Sequence, residues 1–482
     1  MNFSIVIKVL GKILSIQALL MIPSLIVATV YREEKDVYAF AVTMLLLLLV
    51  SFFTIFVKGA DKKVQVKEAM LIVTLGWILV SFFGSLPYLF SGSIPSFTDA
   101  YFESMSGFTT TGASILDNVE ELPPGILFWR AFTNWIGGMG IIVFTLALLP
   151  ALGMGGMKIF KAEVTGPVTD KIMPRLKDTA KTLYFTYGII TIVGIVLLTA
   201  GGMTFYDACI HTFGSVGNGG FSSKQNGLGA YDSTFIQLTA VMLMIVSGIN
   251  YNLYYALYKR KWSEIKCNHE LKLYFGIILG ATLLIASDLF FNGTSSLGIS
   301  LRDAFFQVGS ITTTAGYTTV NYDRWSTFSK IILFALMFIG GCAGSTSGGI
   351  KVIRIMVMLK LVKREIRKIF HPRSIMSVKI GERALSDDTL FGIAGFVFLY
   401  ILTFIFGTLI ISIQGVDIIT SASAVVASLS NIGPGMNLVG PTGSYALFNN
   451  FNTWVLSFLM LLGRLELFTV IAAVTPKRWG SE

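Results

Sequence analysis

Cysteine and histidine are scarce in this 482-residue chain, with three of each. Cys209, Cys267 and Cys342 lie far apart and suggest neither a disulfide framework nor a metal or redox motif. The histidines are equally scattered, and no constellation of histidine, cysteine and carboxylate marks a catalytic centre, so an enzyme is not expected. Charge is thin as well: Asp, Glu, Lys and Arg make up 13% of residues, about half the share usual in soluble domains. Apolar residues take their place at 54%, with a mean hydropathy of +0.72. One globular core cannot hide that much, and several apolar runs reach or approach the roughly 20 residues that cross a bilayer. The expectation is an all-α polytopic membrane protein, because a helix satisfies its own backbone in lipid.

The few charges are unevenly placed. Lys and Arg number 37 against 27 Asp and Glu, a formal charge of +10. Most basic residues fall on one side of the expected spans: Lys58, Lys62, Lys63 and Lys67; the stretch Lys158–Lys181; Lys259–Lys272; and Lys363, Arg364, Arg367, Lys368 and Arg373. That asymmetry is the positive-inside pattern, so the basic side reads as cytoplasmic, with both termini there and no nucleic acid as partner. Some of these residues are also placed to touch membrane lipid or a cytosolic partner. Lys8 and Lys12 precede an apolar run to Val30 with no small-residue cleavage site, which reads as a retained first helix.

An internal repeat organises the rest. Asp303–Gly316 (DAFFQVGSITTTAG) has counterparts at Asp99–Gly112 (DAYFESMSGFTTTG) and Asp207–Gly220 (DACIHTFGSVGNGG). A weaker copy, Thr420–Gly433 (TSASAVVASLSNIG), has no acid at its head. Four copies in register define units of roughly 100 residues. Residues 1–62 carry no copy and form an N-terminal two-helix addition, near 5–31 and 37–57. The units are expected at 63–160, 161–262, 263–370 and 371–482. Each reads as helix, dipping segment, helix, with spans near 68–91 and 126–150, 182–204 and 233–258, 273–291 and 327–362, and 389–413 and 449–473. The dipping segments are too short to span, and irregular backbone at membrane depth needs a wet or protein-lined cavity. Four units around one central pore, each giving one pore loop, is the economical arrangement.

Those loops suit a bare cation, which must exchange its water shell for fixed oxygens. Rings of backbone carbonyls supply them without a net charge that would trap the ion. Gly112, Gly220, Gly316 and Gly433 permit the left-handed backbone that turns carbonyls toward an axis. The candidate filter is Thr110, Thr111 and Gly112; Asn218, Gly219 and Gly220; Thr314, Ala315 and Gly316; and Asn431, Ile432 and Gly433. The hydroxyls of Thr109–Thr111 and Thr312–Thr314 are further oxygens or braces, and a dipping helix with its C-terminus inward favours a cation. Asp99, Asp207 and Asp303 are expected to cap those helices. Their other role, attracting cations at the mouth, is shared with Glu103, Asp117, Glu120 and Glu121.

Below the filter, the second helix of unit three is interrupted by ten residues from Gly340 to Gly349, GGCAGSTSGG, a composition no helix favours. Gly344 and Gly349 imitate a phosphate loop, but Ile350-Lys351 replaces the required Lys-Ser/Thr and no strand precedes it. A flexible plug at Gly340, Gly341, Gly344, Ser345, Thr346, Ser347, Gly348 and Gly349 is the expectation, a packing kink the alternative. Arg464 lies inside an apolar helix, where a guanidinium points to a pore-facing role: repelling cations or bracing the loop. An ion pair with Glu466 is the structural alternative. Lys351 and Arg354 are placed to relay movement from a cytosolic partner.

The loops TTTGAS, VGNGGFS, TTTAGYTT and NIGPGMN resemble the four filters of the Trk/Ktr/HKT superfamily of potassium transporters. The two N-terminal helices and the stretches NWIGGMGIIVF and GGCAGSTSGGIKVIR are similar to its TrkH branch, and the resemblance covers essentially the whole chain. It implies a pseudo-tetrameric potassium channel in one chain of a homodimer in the bacterial inner membrane, regulated by a cytosolic nucleotide-binding ring of the TrkA type. It implies K+ as the transported ion, held at Thr111, Gly112, Gly219, Gly220, Ala315, Gly316, Ile432 and Gly433, with Rb+ conducted, Na+ discriminated against and no organic cofactor. The interrupted loop is then the gate, with Arg464 facing the pore beside it. A transporter coupling the cation to sodium or protons is the other reading, and such folds usually show inverted repeats. Here the repeats run in one direction, which favours a channel.

Overall fold

A computed structural model of the chain describes residues 3–57, 65–140, 176–293, 295–373, 376–381 and 383–474. Among them nearly every element is helical; the exception is one antiparallel pair of two-residue strands, β1 (Lys379–Ile380) and β2 (Arg383–Ala384). Six spans are long and apolar enough to cross a membrane, and two more qualify if each sharply bent helix pair counts as one.

The N-terminal addition is α1 (Phe3–Leu20), α2 (Ile22–Val30) and α3 (Glu34–Ile55). The first two meet at Met21, just ahead of Pro23, whose missing amide is tolerated at the start of a helix. This addition packs on unit one, which holds α4 (Val66–Ser91), α5 (Phe97–Phe108) and α6 (Pro124–Gly138). Gln17 Nε2 donates to the Val80 carbonyl at 2.8 Å, and Phe40 meets Trp129 edge-on at 6.3 Å. Unit two holds α7 (Leu176–Ala200), α8 (Phe205–Gly217), α9 (Thr234–Ser247) and α10 (Tyr251–Tyr258), followed by the short α11 (Trp262–Lys266). Unit three holds α12 (His269–Phe291), α13 (Leu297–Thr312), α14 (Thr327–Ile339) and α15 (Val352–Phe370). Unit four holds α16 (Asp387–Ser412), α17 (Ile418–Leu429), α18 (Asn450–Arg464) and α19 (Phe468–Val474).

The units meet in chain order around a central pore. Trp135 Nε1 donates to Thr191 Oγ1 at 2.9 Å between units one and two, and Tyr274 OH to the Ile245 carbonyl at 3.1 Å between three and two. Tyr322 OH reaches the Gly435 carbonyl at 2.7 Å between three and four. The Tyr445 amide closes the circle on the Ser114 carbonyl of unit one at 2.9 Å.

Two spans expected to be single helices are bent. The stretch 233–258 turns by 91° between α9 and α10, and 449–473 by 108° between α18 and α19. With the break after α14 and the end of α6 at Gly138, the second helix of every unit stops or bends beside a glycine. In units one and four the glycine packs closely on the dipping helix of the same unit: a Cβ on Gly137 would overlap the Phe108 carbonyl oxygen, and one on Gly463 that of Leu429. α7 begins at Leu176, six residues before the expected 182. The end of the expected helix 126–150, the connection up to 175, part of the Lys58–Lys67 loop and the boundaries at 62/63 and 160/161 lie outside the described residues.

Candidate functional site

The dipping helices are α5, α8, α13 and α17, and their caps differ from expectation. Ser96, Thr204 and Asp417 are the cap residues, accepting from the amides of Asp99 (3.5 Å), Asp207 (3.1 Å) and Thr420 (3.1 Å). Asp99 and Asp207 therefore sit at the third helical position, where an acid still complements the N-terminal dipole. Asp303 lies in the second turn of α13, paired with Arg302 Nη2 at 2.8 Å. Unit four, which has no acid at Thr420, carries one at the cap itself.

The other ends converge. After α5, α8, α13 and α17 the chain turns left-handed at Thr110 (φ 54°), Asn218 (53°), Thr314 (59°) and Asn431 (56°), and again at Gly112 (79°), Gly220 (69°), Gly316 (77°) and Gly433 (99°). Such backbone is uncommon for a β-branched threonine, so its recurrence in register marks a built feature. A Cβ placed on Gly112 would overlap the carbonyl oxygen of Gly219; on Gly220, that of Ala315; on Gly316, that of Ile432. On Gly433 it would come within 2.7 Å of the Thr111 oxygen. Each glycine abuts the carbonyl that precedes the next unit's glycine, so four contacts close a ring. All four glycines line one cavity of about 100 Å³ at the mouth of that ring. Every expected filter residue is thus brought together.

Hydrogen bonds brace the ring from behind. Tyr445 OH donates to the Gly433 carbonyl and Tyr317 OH to the Phe221 carbonyl, both at 2.7 Å, and Asn431 Nδ2 donates to Thr111 Oγ1 at 3.0 Å. Behind units one and two, Glu103 and Arg130 form an ion pair at 2.5 Å, exposed only 0% and 3%. Glu103 also accepts from Ser114 Oγ (3.1 Å) and the Ile115 amide (3.0 Å). Arg130 donates to the Ser222 carbonyl at 3.1 Å and lies 3.6 Å over the Phe221 ring. Glu103 is therefore not a mouth acid, as the sequence suggested; it is buried and engaged by a residue on another helix. On the far side of the ring, Thr110 Oγ1, Asn218 Oδ1 and Asn431 Oδ1 are buried with no hydrogen-bond partner. Buried polar atoms ordinarily find one. The fourth at that register, Thr314 Oγ1, accepts from the Gly348 amide at 2.7 Å.

That amide belongs to the interrupted loop. The loop leaves α14 and returns to α15 through a neck, with the Ile350 amide on the Phe338 carbonyl (3.1 Å) and the Lys351 amide on the Ile339 carbonyl (2.7 Å). Gly340, Gly344 and Gly349 adopt φ of 78°, 72° and 73° to make it. Its tip sits directly under the ring, where Asn218 Nδ2 donates to Thr346 Oγ1 (2.9 Å) and Ser347 Oγ (3.1 Å). Arg464 donates to the Thr346 carbonyl at 2.9 Å and to the carbonyls of Gly138 (3.0 Å) and Gly137. The Ala343 amide is held by Glu270 Oε1 at 2.7 Å, and Lys351 Nζ bonds the Ser347 carbonyl. The interruption is an ordered loop bonded beneath the ring, with Arg464 on its Thr346 carbonyl. Glu466 pairs with Arg354 (Nη1 at 3.0 Å), not with Arg464, and the Arg354 guanidinium lies 4.0 Å over the Phe396 ring. A cavity of about 100 Å³ below the plug is lined by Lys351, Arg464 and Glu466. Among the described residues no three His, Cys, Asp or Glu side chains converge as metal ligands, so a cation on this axis would meet carbonyl and hydroxyl oxygens.

The sequence profile of the TrkH family, described as a cation transport protein, matches residues 38–479. The Trk system potassium uptake protein TrkH of Salmonella typhimurium is 38% identical over 484 residues, which cover 99% of this chain and 100% of that one. The Trk system potassium uptake protein TrkG of Escherichia coli is 33% identical, over 98% and 97%. Among solved structures, the crystal structure of the potassium transporter TrkH from Vibrio parahaemolyticus matches with a TM-score of 0.89 at 36% identity, covering 99% of this chain and 100% of that one.

Proposed function

This chain belongs to the TrkH family of cation transport proteins, and on that footing we propose that it is a potassium-uptake pore. It is a multi-pass membrane transporter and not an enzyme. The observation that carries the reading is the closed ring in which each loop glycine abuts the next unit's carbonyl. K+ gives up water to the carbonyls of Thr111, Gly219, Ala315 and Ile432 and of the neighbouring glycines, while the C-terminal ends of four helices add favourable dipole. Rb+, of similar size, passes as well, and Na+ is discriminated against by a ring too rigidly braced to close around it.

The loop 340–349 is the gate, seated here, and Arg464 both braces it and sets a positive charge on the exit path. The basic loops lie in the cytoplasm with both termini, and the membrane is the bacterial inner one. The relatives' Trk-system names support partnership with other Trk components; the partner proposed is a cytosolic nucleotide-binding ring of the TrkA type, acting on the gate through α15, with the chain itself paired as a homodimer. The test is ion flux through purified protein in liposomes, comparing K+, Rb+, Na+ and choline for wild type and Gly316→Ser. Passive K+ and Rb+ uptake, with discrimination against Na+ lost in the variant, supports the pore. Uptake that needs a sodium or proton gradient and ignores Gly316 overturns it.

A further inference from the structure

Away from the pore axis, on the face that carries its mouth, the turn between α2 and α3 and the loop after the first filter segment enclose a cleft of about 960 Å³. Glu33, Glu34, Asp36, Asp117 and Glu121 line it, against Arg32 and Lys35. Asp36 is 2% exposed and faces Glu33 carboxylate to carboxylate, yet its Oδ2 meets no donor. Glu33 accepts one bond, from the Gly125 amide at 2.9 Å, and Glu121 one from Asn118 Nδ2 at 2.7 Å. A carboxylate has about four lone-pair sites, so both keep acceptor capacity to spare. Two carboxylates pressed together in a buried site either share a proton or take a positively charged donor between them.

The chemistry of that donor follows from the layout. Among the described residues no three ligating side chains converge, so a chelated metal ion fits poorly. An ammonium group fits well, being a compact charge with three N–H donors and no need of a closed coordination shell. The remaining acids are spread along the cleft, which suits further positive centres on the same molecule. We propose that this cleft binds an aliphatic polyamine, with one ammonium seated between Glu33 and Asp36 and another toward Asp117 and Glu121. Leu116 lines both this cleft and the mouth of the filter, so the bound amine lies against the wall of the mouth.

Calorimetric titration of spermidine into the purified full-length protein, at mildly alkaline pH and fixed ionic strength, tests the assignment without depending on ion conduction. Asp36→Asn keeps the shape of the side chain and should weaken binding by about tenfold or more, the loss of one charge-assisted hydrogen bond. Glu121→Gln, at the far end, should weaken spermidine but leave butylamine unchanged. Glu264→Gln, outside the cleft, should change neither. Absence of binding overturns the proposal, because Glu33 and Asp36 would then be sharing a proton. So does tighter binding of magnesium than of spermidine, or equal binding by wild type and Asp36→Asn.

Discussion

Replacing Thr346 with Val removes one hydroxyl from the tip of the plug and leaves its shape almost unchanged. That hydroxyl accepts from Asn218 Nδ2 at 2.9 Å and donates to one of two carbonyls, Val216 or Ser247, each at 3.2 Å. Two hydrogen bonds at a net value near 0.5–1.5 kcal/mol apiece amount to about 1–3 kcal/mol of seating energy. Asn218 keeps Ser347 Oγ as an acceptor at 3.1 Å, so no donor is orphaned and the lower half of that range applies. A loss of about 1.4 kcal/mol multiplies the ratio of displaced to seated plug about tenfold. The assay is uptake of radioactive Rb+ into liposomes without any cytosolic partner, with the K+/Na+ ratio measured in parallel. Flux should rise by about that factor while the ratio holds, because the hydroxyl lies below the carbonyl ring and not in it. Unchanged flux through folded protein would refute the plug. A rise with lost discrimination would refute the separation of gate from filter.

Glu103→Gln leaves Arg130 buried without its anion, and breaking a buried ion pair from one side costs about 3–5 kcal/mol. The thermal midpoint of the purified protein should fall clearly, whereas Glu120→Gln, on an exposed residue, should barely move it. Tyr317→Phe removes the hydroxyl that ties unit three to the Phe221 carbonyl of unit two, a loss of about 0.5–1.5 kcal/mol in ring rigidity. Its expected signature is a lower K+/Na+ flux ratio with total flux preserved. An unchanged ratio would mean that the brace does not set ring size.

The architecture was legible because the four loops repeat their chemistry at fixed spacing, and a left-handed turn leaves a mark in composition. Glycine at the last position, with Thr or Asn two residues before it, is what that backbone requires. The helix caps were misjudged because Asp-Ala is the conspicuous pair, while Ser96 and Thr204, three residues earlier, are the ones that reach the free amides. The bends at Gly248 and Gly463 were hidden in apolar runs that a straight helix also satisfies. The available signal was positional, since Gly137-Gly138, Gly248, Gly340-Gly341 and Gly463 fall at matching places in the four units. Pairings between helices left no trace in one sequence: neither Glu103 with Arg130, within unit one, nor Glu466 with Arg354, across units, follows from local spacing.

The neck of the interrupted loop has a mechanical consequence. Two backbone hydrogen bonds, from the amides of Ile350 and Lys351 to the carbonyls of Phe338 and Ile339, bring the loop's entry and exit together. The ten residues between them form a closed bight, held further along by the Cys342 amide on the Gly248 carbonyl and the Ala343 amide on Glu270, and able to swing about the neck once those bonds and the tip contacts give way. α14 need not shift, nor need the four helices that aim their ends at the axis. On the proposed reading, throughput is then switched by a small moving part while the frame assigned to ion selection stands still.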